Sequence, residues 1–305
     1  MLSVRWLNSI IRRYAMRYDS NTRLLGAIGY PIKQSRSPLL MNRLCNLMNQ
    51  NFVYVIFEFP PVKMDDAILG LKALNVSGFN VTMPYKQRIM DYLDEISDEA
   101  RMLEAVNTVK NVDGKLYGYN TDYYGFKQAL IDAGIQLEGK RVLVLGAGAI
   151  SGPVALTMLN GNAEHVTWLN RTKEKADLQA EAMNKIRPGI ASSDVLNYCN
   201  ISKKIEESDI IVNITPVGMS SNSIKMFDFD INRFNENKTV FDVIYTPLKT
   251  PILEAAESRG AKVHNGLRMF LNQGKLAFEI WTDTKVPDVF INEIEEIVKE
   301  DVKKS

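Results

Sequence analysis

The sequence predicts an α/β protein of two domains, an N-terminal α/β domain with a mixed sheet and then a doubly wound domain with a parallel sheet. Three observations carry that prediction. At 305 residues the chain exceeds one ordinary core. Strands alternate with helices through the second half, the pattern of a parallel sheet. Gly146-Ala147-Gly148-Ala149-Ile150-Ser151 lies between a predicted strand and a predicted helix, where a dinucleotide-binding turn would stand.

In chain order, Leu24 to Gly29 reads as an apolar strand, followed by a polar loop through Pro38 and a helix from Leu39 to about Met48. Phe52 to Phe59 is β-branched and aromatic and predicts a second strand. Asp65 to Leu74 has helical spacing, with Ile68, Leu69 and Leu71 assigned to one face. Val76 to Val81 predicts a strand and Tyr85 to Leu93 a helix. Val106 to Lys110 and Lys115 to Tyr119 flank Asp113-Gly114, a hairpin turn signal. In the second half the predicted strands are Arg141 to Leu145, Val166 to Leu169, Ile210 to Ile214 and Val240 to Ile244. A long helix near Met269 to Trp281 and a charged amphipathic helix from Val289 to Lys304 end the chain.

Composition excludes several function classes. Hydrophobic residues make up 46% and charged residues 24%, the balance of a globular protein. A formal net charge of +1 offers no field for nucleic acid or a membrane surface. The two cysteines, Cys45 and Cys199, stand far apart, and with the two histidines, His165 and His264, they form no cluster with metal-ligand spacing. No metal is therefore expected, and the cysteine usage fits a reducing compartment. Residues Met1 to Ser20 carry Arg5, Arg12, Arg13 and Arg17 and no acid before Asp19. That resembles an organelle transit peptide, but an upstream start codon or a short docking helix is the preferred reading. A cytoplasmic location is the preferred expectation.

The cofactor can be read from two places. Glycines in the turn Gly146 to Ala149 allow the backbone to approach a pyrophosphate, and the helix N-terminus attracts its charge. An NAD enzyme usually has Asp or Glu about 20 residues after the first glycine. Here that region reads Asn170-Arg171-Thr172-Lys173-Glu174-Lys175, with Arg171 at the strand end. A guanidinium can grip a 2′-phosphate through paired hydrogen bonds, with Thr172 and Lys175 adding a hydroxyl and a charge. The expected cofactor is NADP. A solvated helix start with incidental basic residues is the plainer alternative.

The first half carries polar clusters at strand ends. They are Ser35-Arg36-Ser37-Pro38, Asn80-Val81-Thr82-Met83-Pro84-Tyr85-Lys86, Ala105-Val106-Asn107-Thr108 and Tyr119-Asn120-Thr121-Asp122. Taken singly, each could cap a helix or fix a turn. Their order, continued by the glycine turn, Asn170-Arg171-Thr172, Val217-Gly218-Met219, Asp242-Val-Ile-Tyr245-Thr-Pro, Gly266-Leu-Arg-Met269 and Gln273-Gly274, resembles that of the shikimate dehydrogenases. The likeness runs from about Leu24 to Trp281.

That resemblance implies reversible, NADPH-dependent reduction of 3-dehydroshikimate to shikimate. It implies an extension over 1–20, a substrate domain over 21–122, a Rossmann-like NADP domain over 123–265, and C-terminal helices over 266–305 returning to the first domain. Carried over residue by residue, Ser35 and Ser37 should hold the substrate carboxylate with help from Tyr245. Thr82, Asn107 and Gln273 should bind ring hydroxyls, and Asn80 should support the site wall. Lys86 and Asp122 should form the catalytic pair. Gly146, Ala147, Gly148, Ala149, Asn170, Arg171, Thr172, Lys175, Thr215, Gly266 and Met269 should contact the cofactor. The expected partner is a small molecule, with no nucleic acid and no membrane; a homodimer is left open.

Several positions depart from the family pattern. Met41 stands where His is usual, Tyr123-Tyr124 follows the catalytic aspartate, Ala149 replaces a glycine, and Arg268 replaces a small residue. Two rings beside Asp122 would narrow the site. Two other readings stay in play, a quinate/shikimate dehydrogenase paralogue and a non-catalytic NADP(H) or shikimate sensor. Retention of Lys86 with Asp122 disfavours the sensor.

Overall fold

The first half alternates strand and helix until the Asp113-Gly114 turn folds the chain back on itself, and the fold follows that change. The computed structural model describes residues 18–220 and 226–304. Residues 1–17, which contain the four N-terminal arginines, lie outside the described residues. The chain forms two units. One runs to Thr121 and takes back Gly274–Val298, and the other comprises Asp122–Gln273 and resumes at Lys299.

The first unit contains β1 (Arg23–Gly29), α1 (Ser37–Leu47), β2 (Phe52–Glu58), α2 (Met64–Ala73), β3 (Gly78–Val81), β4 (Glu95–Ile96), α3 (Asp98–Met102), β5 (Thr108–Val112) and β6 (Lys115–Tyr119). Its sheet has the order β2-β1-β3-β5-β6-β4. β2, β1 and β3 are parallel, whereas β5 runs against both β3 and β6, so the sheet is mixed as expected. Asp113 and Gly114 both have positive φ (51° and 85°), the backbone of the two-residue hairpin turn that the sequence signals. Pairing of Asn80 with Thr108 and of Thr108 with Tyr119 brings the ends of β3 and β6 and the start of β5 to one end of the sheet.

The helix α4 (Thr121–Asp132) leads into the second unit, with β7 (Arg141–Leu145), α5 (Ser151–Asn160), β8 (His165–Asn170), α6 (Lys173–Ile186), β9 (Ala191–Val195), α7 (Tyr198–Glu207), β10 (Ile210–Asn213), β11 (Thr239–Asp242), α8 (Pro251–Glu257) and β12 (Lys262–His264). The sheet order is β12-β11-β10-β7-β8-β9, and every pair is parallel. β7 is therefore the first strand of the unit and sits where the order reverses, the place at which doubly wound sheets bind ligands. Val142 and Val144 enter the core on one face, and Leu143 and Leu145 the core on the other. That two-sided burial explains why β7 reads as an unbroken apolar run. Two long helices, α9 (Leu267–Thr282) and α10 (Asp288–Lys304), close the chain. A side chain at Gly78 would collide with the ring of Trp281, whose Nε1 donates to Val109 O at 2.8 Å. The missing Cβ is what lets the end of α9 lie on β3 and β5.

Four expectations need correction. Tyr85 to Leu93 is no α-helix: a 3₁₀ turn covers Arg88–Tyr92. The Lys86 carbonyl, which an α-helix would give to Met90, instead accepts from Val106 N at 2.8 Å, and Met90 N turns to Gln87 O. Leu69 is 68% exposed, because the buried stripe of α2 is Met64, Ile68 and Leu71. The hairpin strand expected at Val106 begins at Thr108, since the positive-φ turn sets the register. The short strands β4, β9 and β12 are additions to the expected set, and each lies at the edge of its sheet, where apolar patterning is weakest.

Among the described residues no helix is long and apolar enough to cross a membrane, and no group of three or more His, Cys, Asp or Glu is placed to hold a metal. Cys45 is buried, which pushes its thiol up to about 12, while Cys199 is exposed.

The buried Ser77 hydroxyl, at the approach to β3, has no hydrogen-bond partner. A buried unpaired hydroxyl costs about 1–3 kcal/mol. Ser77→Ala should therefore be as stable as the parent or gain up to about 1–2 kcal/mol in denaturant unfolding. A loss above about 1 kcal/mol would show that the hydroxyl is satisfied in solution.

Candidate functional site

In the first unit, polar residues at the common end of β3, β5 and β6 form one hydrogen-bonded network. Asn80, Asn107, Thr108 and Thr121 are all buried. The Asn107 Oδ1 accepts from Thr121 N at 2.7 Å and from Thr108 Oγ1 at 3.0 Å, while its Nδ2 donates to Thr121 Oγ1 at 3.0 Å. Its backbone carbonyl takes Val81 N at 2.8 Å and Asn80 Nδ2 at 3.3 Å. Asn80 Nδ2 also reaches Thr108 Oγ1 at 3.1 Å, leaving its Oδ1 to accept from Tyr54 OH at 2.8 Å.

The network continues to the serines. Tyr54 is 1% exposed; burial drives its phenol pKa upward, and a hydrogen bond from Ser37 partly opposes the shift. Ser35 Oγ in turn donates to Ser37 Oγ at 3.1 Å and accepts from Ser37 N at 3.2 Å. Asn42 fixes the tyrosine from behind, donating to Tyr54 O at 2.9 Å and accepting from Tyr54 N at 2.8 Å. Ser35, Ser37, Asn80 and Asn107 are thus joined. Tyr54, Thr108 and Thr121 complete the chain without having been assigned a role from sequence. Tyr54 stands in a continuous β-branched and aromatic run, and only the three-dimensional register shows that its hydroxyl is used.

Thr82 and Lys86 leave the same sheet end and are half-buried. Thr82 N donates to Ile28 O at 3.0 Å and Thr82 O accepts from Tyr85 N at 2.9 Å, holding the turn. Tyr85 is anchored beside the lysine, its ring stacked on Phe59 at 5.0 Å and its hydroxyl donated to Phe59 O. Met41 is fully buried and packs where a side chain at Gly274 would come within 3.3 Å of its Cε.

The second unit carries the remaining residues. Asp122 is buried near the start of α4. Tyr123 is 5% exposed, with its hydroxyl accepting from Asn160 Nδ2 at 2.9 Å, and its ring is therefore committed to this unit's interior. Tyr124 is 41% exposed and meets Tyr123 edge-on at 5.1 Å. Tyr245 stacks on Phe270 at 4.9 Å, and Gln273 Nε2 donates to Phe270 O at 2.9 Å, so α9 brings those two candidates together. Gly125 matters here, since a Cβ would lie 2.7 Å from Gln273 Cβ.

At the end of β7, Gly146 has φ +109° and lies against Thr215, which a Cβ would meet at 2.8 Å. A Cβ at Gly148 would meet nothing within 4 Å, so protein packing does not demand glycine there. A backbone left bare at the start of α5 fits close approach by a phosphate. At the end of β8, Asn170 Nδ2 donates to Thr172 O at 2.8 Å and shapes the turn that presents Arg171. Thr172 occupies the N-cap of α6 without bonding the helix, and Arg171, Thr172 and Lys175 are exposed. This donor set suits a 2′-phosphate. Gly266 has a packing reason as well, because a side chain there would collide with the Val243 backbone. Met269 lies in the core with Phe126 and Phe241.

Family models match the chain in three successive stretches: the shikimate dehydrogenase substrate-binding domain at residues 27–109, shikimate/quinate 5-dehydrogenase at 128–242 and the shikimate 5′-dehydrogenase C-terminal domain at 266–292. The NADP(+) shikimate dehydrogenase of Alkaliphilus metalliredigens is 40% identical over 274 residues, spanning 90% of this chain and 96% of that protein. The crystal structure of shikimate 5-dehydrogenase from Listeria monocytogenes, in complex with shikimate and NAD, superposes with a TM-score of 0.84 at 34% identity, covering 93% of this chain and 99% of that one. Quinate dehydrogenase from Corynebacterium glutamicum, in complex with NAD, gives 0.82 at 26% identity, covering 90% and 98% respectively.

A second buried network supports the turn at Gly146. Asp242, at the end of β11, accepts from Asn213 Nδ2 and Ile244 N at 3.0 Å each and from Thr250 Oγ1 at 2.6 Å. Asn213 Oδ1 accepts in turn from Thr215 N at 3.0 Å and Thr215 Oγ1 at 2.8 Å. Burial pushes the Asp242 carboxyl up from 3.8 to about 6, against the three donors that favour its ionised form. A folded pKa above the unfolded one stabilises the protein fully below pH 3.8, and the contribution is lost as pH rises through about 6. Asp242→Asn removes that titration and keeps the shape. Its melting temperature relative to the parent should therefore rise between pH 4 and pH 7, as read by parallel thermal scans. A difference independent of pH would show that the carboxyl titrates alike in both states.

Proposed function

The chain belongs to the shikimate dehydrogenase family, and from that premise we propose that it reduces 3-dehydroshikimate reversibly to shikimate with NADPH. The observation that carries this reading is the network from Ser35 through Ser37, Tyr54 and Asn80 to Asn107. It gathers short neutral hydrogen-bond donors and acceptors at one sheet end, beside the strand that delivers Thr82 and Lys86.

The substrate's polar groups sort onto these residues. Ser35 and Ser37 receive the carboxylate with help from Tyr245. Thr82, Asn107 and Gln273 take ring hydroxyls, and Asn80 holds the wall by bonding both Tyr54 and Thr108. When bound, NADPH supplies the hydride. Gly146 to Ala149 with Thr215 cradle its pyrophosphate end, and Arg171, Thr172 and Lys175 read its 2′-phosphate. Lys86 manages the proton. In reduction its ammonium stabilises the developing alkoxide and gives it a proton; in oxidation the neutral amine removes the hydroxyl proton. Asp122, which directly follows Thr121 of the network, orients the lysine and a ring hydroxyl. A cytoplasmic site of action accords with the two unpaired cysteines.

Quinate differs by a hydroxyl on a tetrahedral carbon next to the carboxylate. Tyr123 turns its ring inward, so discrimination rests on the exposed Tyr124 and on the serines, which offer that hydroxyl no designed partner. An unpaired buried hydroxyl costs about 1–3 kcal/mol. Steady-state assays with shikimate and quinate, each against NADP and NAD, should give kcat/KM for shikimate at least about 10-fold above quinate, with NADP preferred. In the same assays Arg171→Asp should weaken NADP binding by about 2–4 kcal/mol and NAD binding far less. A quinate preference would move the assignment to the paralogue, and equal losses for both cofactors would make Arg171 a structural residue.

Lys86→Ala tests the chemistry directly. It should lower kcat roughly 10²- to 10⁴-fold, the range for a lost acid–base group, with the NADP dissociation constant nearly unchanged. Near-parental kcat in folded protein would remove Lys86 from the proton path.

A further inference from the structure

Glu58 ends β2 at the edge of the mixed sheet and points at the loop that carries the first serine. Its Oε2 accepts from Ile32 N at 2.8 Å, and the Ile32 carbonyl accepts from Ser35 N at 2.9 Å. The two bonds run in series, so the carboxylate fixes the turn that places Ser35. Ile32 is itself buried, and a side chain at Gly29 would meet both Ile32 Cδ1, at 3.0 Å, and Thr82 Cγ2. The same anchor therefore sets the loop against the segment that bears Thr82. A second tie runs alongside, from Tyr30 N to Met83 O at 3.0 Å.

A carboxylate is a surprising choice near residues read as an anion site, since its field disfavours a substrate carboxylate. Lys33 lies 3.6 Å from Glu58 but is 84% exposed, so solvent and salt weaken whatever that pair could contribute to the geometry. The Ile32 bond is different in kind. A backbone N–H given to a side-chain oxygen is directional and holds the turn in one geometry. The Ile32 N–H, ahead of Lys33, also holds the Glu58 carboxyl below the usual glutamate range.

We infer that Glu58 is a positioning residue for substrate binding, acting through Ile32 on Ser35. The inference rests on the reading of Ser35 as a carboxylate ligand. What matters is an acceptor oxygen at this place, and the negative charge is incidental. A glutamine keeps the oxygen and loses the charge, whereas alanine or methionine loses both.

Steady-state kinetics of the full chain with shikimate and NADP separate these cases. Glu58→Ala should raise KM for shikimate about tenfold, the loss expected when one hydrogen bond no longer orders the loop. KM for NADP should stay unchanged and kcat within about twofold. Glu58→Gln should return KM for shikimate to within about twofold of the parent, and Lys33→Ala should leave it there. Should Glu58→Ala fail to fold, Glu58→Met keeps the length of the side chain and tests the same loss. In a Ser35→Ala background the effect of Glu58→Ala should shrink to about twofold or less, because the two act in series. Unchanged KM in folded Glu58→Ala or Glu58→Met would overturn the inference. So would an equal rise in KM for both substrates, a glutamine as poor as alanine, or an undiminished effect without Ser35. A parent protein inert towards shikimate overturns the functional reading and this inference with it; an active parent with additive variants overturns this inference alone.

Discussion

The first unit depends on how the Asn107 amide is satisfied. It stands just before β5, where an antiparallel strand meets two strands running the other way, and it is 4% exposed. Its side chain accepts from Thr121 N and Thr108 Oγ1 and donates to Thr121 Oγ1, and its carbonyl ties Val81 and Asn80. A buried amide left without these partners would cost several times a net hydrogen bond, so the polar groups around it are obliged to be complete. That completeness also fixes which way each amide faces. With the carbonyl of Asn107 taking the Asn80 Nδ2, the Asn80 Oδ1 must face Tyr54, and the tyrosine passes the constraint on to Ser37. Residues from five separate stretches of sequence thereby share one set of orientations.

Much of this was legible because the residues that fix backbone geometry are local signals. Asp113-Gly114 predicted its turn, and Gly146 between strand and helix predicted a tight turn there, since both positions need positive φ. The mixed and parallel sheets followed from the spacing of apolar runs. Features set by distant partners were not legible. The expected helix at Tyr85 yields to a 3₁₀ turn because Val106, some twenty residues on, takes the Lys86 carbonyl. The strand at Ala191–Val195 has too little apolar character to announce itself, since it pairs on one side only. Tyr123 reads as a ring beside the site, yet Asn160 draws its hydroxyl into the second unit. Tyr54 and Glu58 sit in a strand whose apolar run predicts a strand and nothing of what their oxygens hold.

The two units solve a common problem by related means. Each places irregular backbone at strand ends, where main-chain groups lose their ladder partners, and each recovers them with a side-chain amide. Asn107 does this in the mixed sheet, and Asn213 does it in the parallel sheet, closing Thr215 and bonding Asp242. The difference lies in charge. The first network is neutral throughout, whereas the second contains a buried carboxyl pushed up to about 6 by its surroundings. Three donors converge on that carboxyl, so its ionised form is cradled even though burial opposes it. Strand-end loops that must keep one shape gain from such over-determined bonding.

Under the proposed assignment, anion recognition divides along the same line. The basic residues after β8 are exposed, and the nearest lysine, Lys173, is already spent on Asp177 at 2.7 Å. A site of this kind recognises a dianionic phosphate by charge in water, and its attraction weakens with salt. The serines face the opposite constraint. They are half-buried neutral donors tied to a tyrosine, with a glutamate two bonds away through Ile32. Neutral donors gain little when they must first be ordered, so in the proposed reading a carboxylate is favoured there when the hydroxyls are already placed for it. In the proposed reading, prior placement of the hydroxyls contributes at the substrate end what exposed charge contributes at the cofactor end. The proposed carboxylate site is accordingly the more extensively hydrogen-bonded of the two surroundings.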